Sequence, residues 1–151
     1  MVRKVLKFGS ACAFGMVFLT GCGLFDTVTP PKPQYQPKSI EAQARGVTVA
    51  KNIPYNCRIL GEVEGKDVVG DRSGATRELL RESAINDLRN EAYYVAGQGK
   101  RTMVNITKEV CRIFLGGAWQ SVECRDGLLP QGTQDIYSYR IHAQVFDCGE
   151  R

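Results

Sequence analysis

The clearest pattern along the chain is a stripe at helical spacing. Leu80, Ala84, Leu88, Ala92 and Val95 recur every three or four residues, and Leu79 and Ile85 widen the stripe. The spacing predicts a helix over residues 75–96, capped by Ser73 or Thr76 and ended by Gly97 and Gly99. Arg77, Glu78, Arg81, Glu82, Asp87 and Arg89 cover most of its remaining surface, and their mixed signs read as a solvated face. After the helix the period becomes two. Val104, Ile106 and Val110 alternate with Asn105, Thr107 and Glu109. Later, Tyr137, Tyr139, Ile141, Ala143 and Val145 share one strand face, with Ser138, Arg140, His142 and Gln144 on the other. Before the helix stand a short β-prone run, Val47 to Val49, and a stronger strand, Cys57 to Val63, with Ile59, Gly61 and Val63 on one face. Gly65 to Gly74 reads as a polar loop, and residues 111–124 as a turn-rich excursion about Gly116-Gly117.

The order is strand, long helix, strand, excursion, strand. A helix of about 21 residues spans roughly 31 Å and can lie along strands of about nine residues. The expected fold is α+β: a small, mostly antiparallel sheet with one long helix packed on one face, stapled by disulfides.

The N-terminus does not belong to that domain. Arg3, Lys4 and Lys7 precede an apolar run from Phe8 to Leu19, which is followed by Thr20, Gly21 and Cys22. Such a charged start, short apolar core and small-residue cleavage site read as an export signal. The run is shorter than the roughly 20 residues a membrane-spanning helix needs. Leu19-Thr20-Gly21-Cys22 resembles the bacterial lipobox. That resemblance implies cleavage before Cys22, a diacylglycerol thioether on its sulfur and an N-acyl chain, and two or more chains hold a protein firmly on a bilayer. The expected organisation is a signal peptide over 1–21, a lipidated Cys22 with a proline-rich tether over 22–46, and a domain over 47–151. Pro30, Pro31, Pro33 and Pro37 favour extended conformations in that tether. By analogy with lipoprotein sorting, Gly23 after the cysteine, in place of an aspartate, favours the outer membrane, with the domain in the periplasm or at the cell surface.

Charge and cysteine content change with the signal's loss. The full chain carries +4, and Arg3, Lys4 and Lys7 leave with the signal, so the mature chain is near +1. That is no electrostatic footprint for nucleic acid. Of six cysteines, Cys12 leaves and Cys22 takes the lipid. Cys57, Cys111, Cys124 and Cys148 remain, an even set suited to disulfides in an oxidising compartment. Their wide spacing and the single His142 argue against a metal site. Two pairings stay open. Topology brings the end of the last strand back to the start of the first, which gives Cys57–Cys148 and leaves Cys111–Cys124 to close the excursion. Side-chain parity groups Cys57 with Ile59 and Cys124 with Val122, which gives Cys57–Cys124 and Cys111–Cys148. Bulges often break parity, which favours the topological pairing.

The helix carries Asn86-Asp87-Leu88-Arg89-Asn90-Glu91-Ala92, with Cys57-Arg58-Ile59-Leu60-Gly61 upstream and Val145-Phe146-Asp147-Cys148 downstream. Together these resemble a family of small proteobacterial lipoproteins of unknown function, over roughly residues 47–110 and 135–148. A more distant likeness is to the outer-membrane lipoprotein that senses envelope stress for the Rcs phosphorelay. The resemblance implies a Cys57–Cys148 bridge and no particular activity. Tyr93 to Gly99 and the long segment holding Cys111 and Cys124 depart from the family pattern.

Candidate chemistry is sparse. No G-x-S-x-G, H-E-x-x-H or phosphate-loop motif occurs, and His142 has no nucleophile or carboxylate pair in its sequence context. The expectation is a non-enzymatic binding, scaffold or stress-sensing module that needs no cofactor, held to a membrane by its lipid and free to meet an envelope protein. Asn86, Arg89 and Asn90, and the aromatics Phe114 and Trp119 of the excursion, are the candidate contact residues. For the asparagines a structural role, bonding loop backbone, is the stronger reading. An envelope thiol–disulfide enzyme and a carrier of a small apolar ligand are the alternatives.

Overall fold

The computed structural model describes residues 29–150, with Glu150 through its backbone alone. Cys22, the expected signal and the first part of the expected tether lie outside the described residues.

The helical stripe folds as expected. Helix α1 spans Arg77–Ala96. Thr76 caps it, its Oγ1 accepting from the Leu79 N–H at 3.2 Å. Gly97 ends it at φ 81°, donating its N–H to the Tyr93 carbonyl. Leu80, Ala84, Leu88 and Ala92 are fully buried against the sheet.

The sheet has five strands: β1 (Thr48–Ala50), β2 (Arg58–Val68), β3 (Lys100–Leu115), β4 (Ala118–Glu123) and β5 (Asp135–Glu150). The order is β1-β3-β5-β2, and β4 pairs with the far half of β3. Only β1–β3 is parallel; the other pairs are antiparallel. β2 and β3 therefore run the same way, as a helical crossover requires, with β5 returning between them. The architecture is the expected α+β one, a single helix on one face of a mostly antiparallel sheet. Among the described residues, no helix is long and apolar enough to cross a membrane.

The excursion is more regular than its turn signals suggest. β3 runs unbroken to Leu115, and Gly116-Gly117 make a two-residue hairpin turn at φ 59° and 82°. Successive positive φ values suit the right-handed twist of a hairpin and favour glycine. The Cys111–Cys124 bridge closes the base of this hairpin, and Cys57–Cys148 ties the start of β2 to the end of β5. This is the topological pairing. In the chain-entropy model the two bridges contribute about 3 and about 4–5 kcal/mol, the larger from the 91-residue separation.

Three register shifts move residues from the faces their parity predicts. An extra residue at Leu60 turns Ile59 outward, where it is exposed, and brings Leu60 to the core. A shift between Ile106 and Lys108 passes the buried face of β3 from Thr102 and Val104 to Glu109, Cys111 and Ile113. Val110 thus leaves the face expected for it. In β5, Ile136 pairs with Ile113 and Ser138 with Arg112, so Tyr137 is the extra residue and lies with Arg112 and Trp119. The polar loop expected from Gly65 is also shorter, because β2 continues to Val68.

Gly65 is where helix and sheet approach most closely. A side-chain carbon there would overlap the Ala84 carbonyl and the Leu88 backbone, whereas Gly61 has open space around it. Gly65→Ala is expected to cost about 2–3 kcal/mol in chemical denaturation, and Gly61→Ala under about 1 kcal/mol. Equal effects would contradict this packing.

Candidate functional site

The expected tether boundary at 46 moves. Residues 33–47 are docked on the domain as a strap. Tyr35, Ala44 and Val47 are buried, Tyr35 to 3% exposure, which no free tether would show. The strap joins the loop after β2, where the Tyr35 N–H donates to the Ser73 carbonyl and the Ser73 N–H to the Pro33 carbonyl. It then runs along α1 toward the helix C-terminus, turns through a 3₁₀ segment (Ala42–Gly46) and enters β1.

A helix offers the strap no free backbone groups along its length, so side chains must bond it. The Asn86–Asn90 motif does this. Asn86 Nδ2 donates to the Lys38 carbonyl at 2.9 Å. Asn90 accepts from the Glu41 N–H at 2.9 Å and donates to the Ser39 carbonyl. Arg89 donates to the Val47 and Arg45 carbonyls at 2.9 and 2.7 Å, with burial pulling its pKa down. Asp87 accepts from the Lys66 N–H of β2 and from Lys38 Nζ, at 2.9 and 2.8 Å. Ser83, one turn earlier, accepts from the Lys38 N–H at 2.8 Å. Asn86, Arg89 and Asn90 thus spend their bonds on the chain's own strap. Of the face expected to be solvated, Asp87 and Arg89 belong to this internal seam, while Glu78 and Glu82 are exposed as expected.

Two buried acids anchor the seam's surroundings. Asp67 of β2 accepts from Tyr35 at 2.7 Å, from Ser83 and from the Val68 N–H, and Arg72 lies 3.4 Å away. Burial alone would raise the Asp67 pKa, but these bonds and the Arg72 charge hold it below the ordinary carboxyl value. Burial, then the Asp67 charge, push the Tyr35 hydroxyl up to about 12, opposed by Ser83. The Arg72 guanidinium stacks 4.6 Å from the Tyr35 ring centre. On the other side of the helix, Arg81 grips Glu109 of β3 with two bonds of 3.0 and 2.8 Å. Tyr139 donates to the same carboxylate and lies 3.0 Å from the Cys124 carbonyl. Burial opposes ionisation of Glu109, but Arg81 and Tyr139 hold its pKa down. Arg81 is raised in return. No buried side-chain polar atom among the described residues lacks a partner.

Pattern reasoning missed Asp67, Ser83, Glu109 and Arg81. Signals existed for two of them: Ser83 falls on the helical stripe three residues after Leu80, and Glu109 shares phase with Cys111 and Ile113.

The Arg81–Glu109 pair lines a notch of about 450 Å³ where the edge of β3 is bare between β1 and β4. Lys51, Arg125 and Asp126 stand around it. Phe114 and Trp119 lie directly opposite each other on the hairpin, rings 5.3 Å apart, and Tyr137 extends the cluster 5.7 Å from Trp119. This aromatic cluster occupies the sheet face away from the helix. At the other end of the sheet, Ile53, Tyr55 and Ile59 are exposed, Tyr55 to 90%. His142 Nδ1 lies 3.8 Å from Glu64 on the open face.

No known protein family, curated protein or solved structure matches the chain.

Two predictions follow the seam. Asn86→Ala with Asn90→Ala is expected to open the strap to limited proteolysis within residues 38–46, at a cost of about 1–3 kcal/mol; a digestion pattern unchanged from the parent would contradict the clamp. Glu109→Gln leaves Arg81 half-buried without its carboxylate and is expected to cost about 2–3 kcal/mol near pH 7. Glu109 has a depressed folded pKa, so its stabilisation is present above the unfolded carboxyl value of about 4 and is lost as pH falls through the folded value. Denaturation at pH 7 and pH 3 is expected to show the gap between parent and variant narrowing in acid.

Proposed function

We propose that the protein is a lipid-anchored envelope lipoprotein whose small domain is a non-enzymatic binding, scaffold or stress-sensing module. The observation that carries this reading is the clamped strap. About eleven residues separate Cys22 from Pro33, so the free tether reaches at most about 40 Å. A short tether joined to a rigidly held strap limits how far the domain can stand from its anchor, which suits a scaffold or sensor. The outer membrane is the proposed site, from the residue after Cys22.

The surface offered to a partner is the end of the sheet that carries Ile53, Tyr55 and Ile59. The three fall in one short stretch of the chain and each is more than half exposed, which offers a partner apolar surface to cover. The two disulfides leave no free thiol among Cys57, Cys111, Cys124 and Cys148, and the buried Cys111–Cys124 pair is shielded from exchange.

A photo-crosslinking residue at Tyr55, introduced into the chain in living cells, is expected to yield one discrete adduct with an envelope protein. Crosslinking from Lys51, on the rim of the notch, serves as the comparison. Failure of Tyr55 to give an adduct beyond that background, under both resting growth and envelope stress, would contradict the binding reading. Mass spectrometry of the mature N-terminus tests the anchor separately: a lipidated Cys22 is the expected result.

A further inference from the structure

The aromatic cluster of Phe114, Trp119 and Tyr137 is absorbed neither by the strap nor by the partner surface. Trp119 is 44% exposed and Tyr137 38%, beside Val68 at 43%. Tyr137 and Val68 line a cleft of about 350 Å³ on the open sheet face together with Arg112 and Arg140, and Trp119 packs against the Tyr137 ring at its edge. Arg112 stacks 5.5 Å from the Tyr137 ring centre, and among the described residues it has no carboxylate partner. Arg140 lies 3.6 Å from the partly exposed Glu64. Asp135, opposite Phe114, and Glu123, opposite Val110, are the acids nearest in the register.

The strap meets the sheet near this cleft. Pro33 bonds Ser73, Arg72 bonds the Val68 and Val69 carbonyls, and the Val69 N–H donates to the Tyr137 carbonyl. The strap therefore begins, at Pro33, at the same end of the sheet as the cluster. The opposite end, with Ile53 and Tyr55, lies a full length of β2 away, roughly 35 Å. A tether of at most about 40 Å reaches a bilayer with slack when the Trp119 end faces it, and only near full extension when the other end does.

We infer that the Trp119–Tyr137 end of the sheet rests on the membrane that carries the lipid anchor, with the aromatic rings in the headgroup region and the Arg112–Arg140 cleft taking a phospholipid phosphate. Tryptophan and tyrosine favour that interface because one part of the ring is apolar and another can hydrogen-bond. An unpaired arginine beside them supplies the charge that anionic headgroups attract. The inference rests on the lipid-anchor reading and adds an orientation to it: the domain lies with this end down and its Tyr55 end presented away from the bilayer.

Trp119 is the protein's single tryptophan, so its fluorescence reports this surface alone. The test uses the full mature, lipidated chain reconstituted into vesicles of phosphatidylethanolamine and phosphatidylglycerol, with and without bromine on the acyl chains near the glycerol. The expected result is a blue-shifted Trp119 emission, protection from acrylamide and quenching by the brominated lipid. Arg112→Gln and Tyr137→Ser, both at exposed positions, are expected to weaken the lipid quenching at least about twofold with circular dichroism unchanged. A lipidated, vesicle-bound chain whose Trp119 stays open to acrylamide and untouched by bromine would overturn the inference and leave the anchor reading standing. Protection from acrylamide without bromine quenching would overturn it in favour of a second protein copy over the patch. A mature chain without lipid on Cys22 that does not join the vesicles would overturn both readings.

Discussion

A chain segment laid along a helix meets a surface with no backbone hydrogen bonds to give. The helix has spent them internally, and the segment's own N–H and C=O groups must still be satisfied wherever water is excluded. Ser83, Asn86, Arg89 and Asn90 meet that demand for the strap, bonding the backbone of Lys38, Ser39, Glu41, Arg45 and Val47. The side-chain amides suit the task because each offers both donors and an acceptor. Asn90 uses both functions, one on Ser39 and one on Glu41. Once the strap is held, β1 is delivered to the edge of β3, and Val47 and Ala44 close that side of the core.

The helix is held equally from its other sides. Gly65 allows it to lie close over β2, while Asp87 reaches past the glycine to bond the Lys66 N–H. Arg81 and Glu109 fasten it to β3, next to the disulfide that closes the hairpin. Such pairs add specificity more than net stability, since desolvating both ions offsets most of their attraction. The consequence for function is a helix with little freedom to shift and a strap whose position follows that of the helix. Rigidity begins at Pro33, about eleven residues from Cys22, and that short reach lets one end of the domain face the bilayer in the proposed arrangement.

Much of this was legible in the residues. The apolar stripe from Leu80 to Ala92, its cap and its terminal glycine specify the helix, and the alternation from Tyr139 to Val145 specifies the central strand. Order alone then places β2 and β3 parallel and brings Cys57 to Cys148. The misassigned strand faces share one physical cause. Period-two reasoning assumes an unbroken pleat, and the extra residues at Leu60 and Tyr137 and the shift after Ile106 each reverse the faces beyond them. That is why Ile59, Val110 and Tyr137 lie on the unexpected side, and why parity suggested the wrong cysteine partners. The strap was hidden for another reason: its prolines and lysines have the composition of a free tether, and only Tyr35 hints at burial. Asp87 and Arg89 looked solvated because their strap partners lie more than forty positions earlier in the chain.

The domain's proposed attachment and orientation depend on the strap being part of the folded domain. Amide hydrogen exchange at Tyr35, Lys38 and Glu41 measures this most directly, since the structure bonds these N–H groups to Ser73, Ser83 and Asn90. The clamp predicts that all three exchange at least about a hundredfold more slowly than the amides of a free chain. Exchange at the free-chain rate, with α1 still protected, would mean that the segment is tether after all and that the Asn86–Asn90 face is open to another partner.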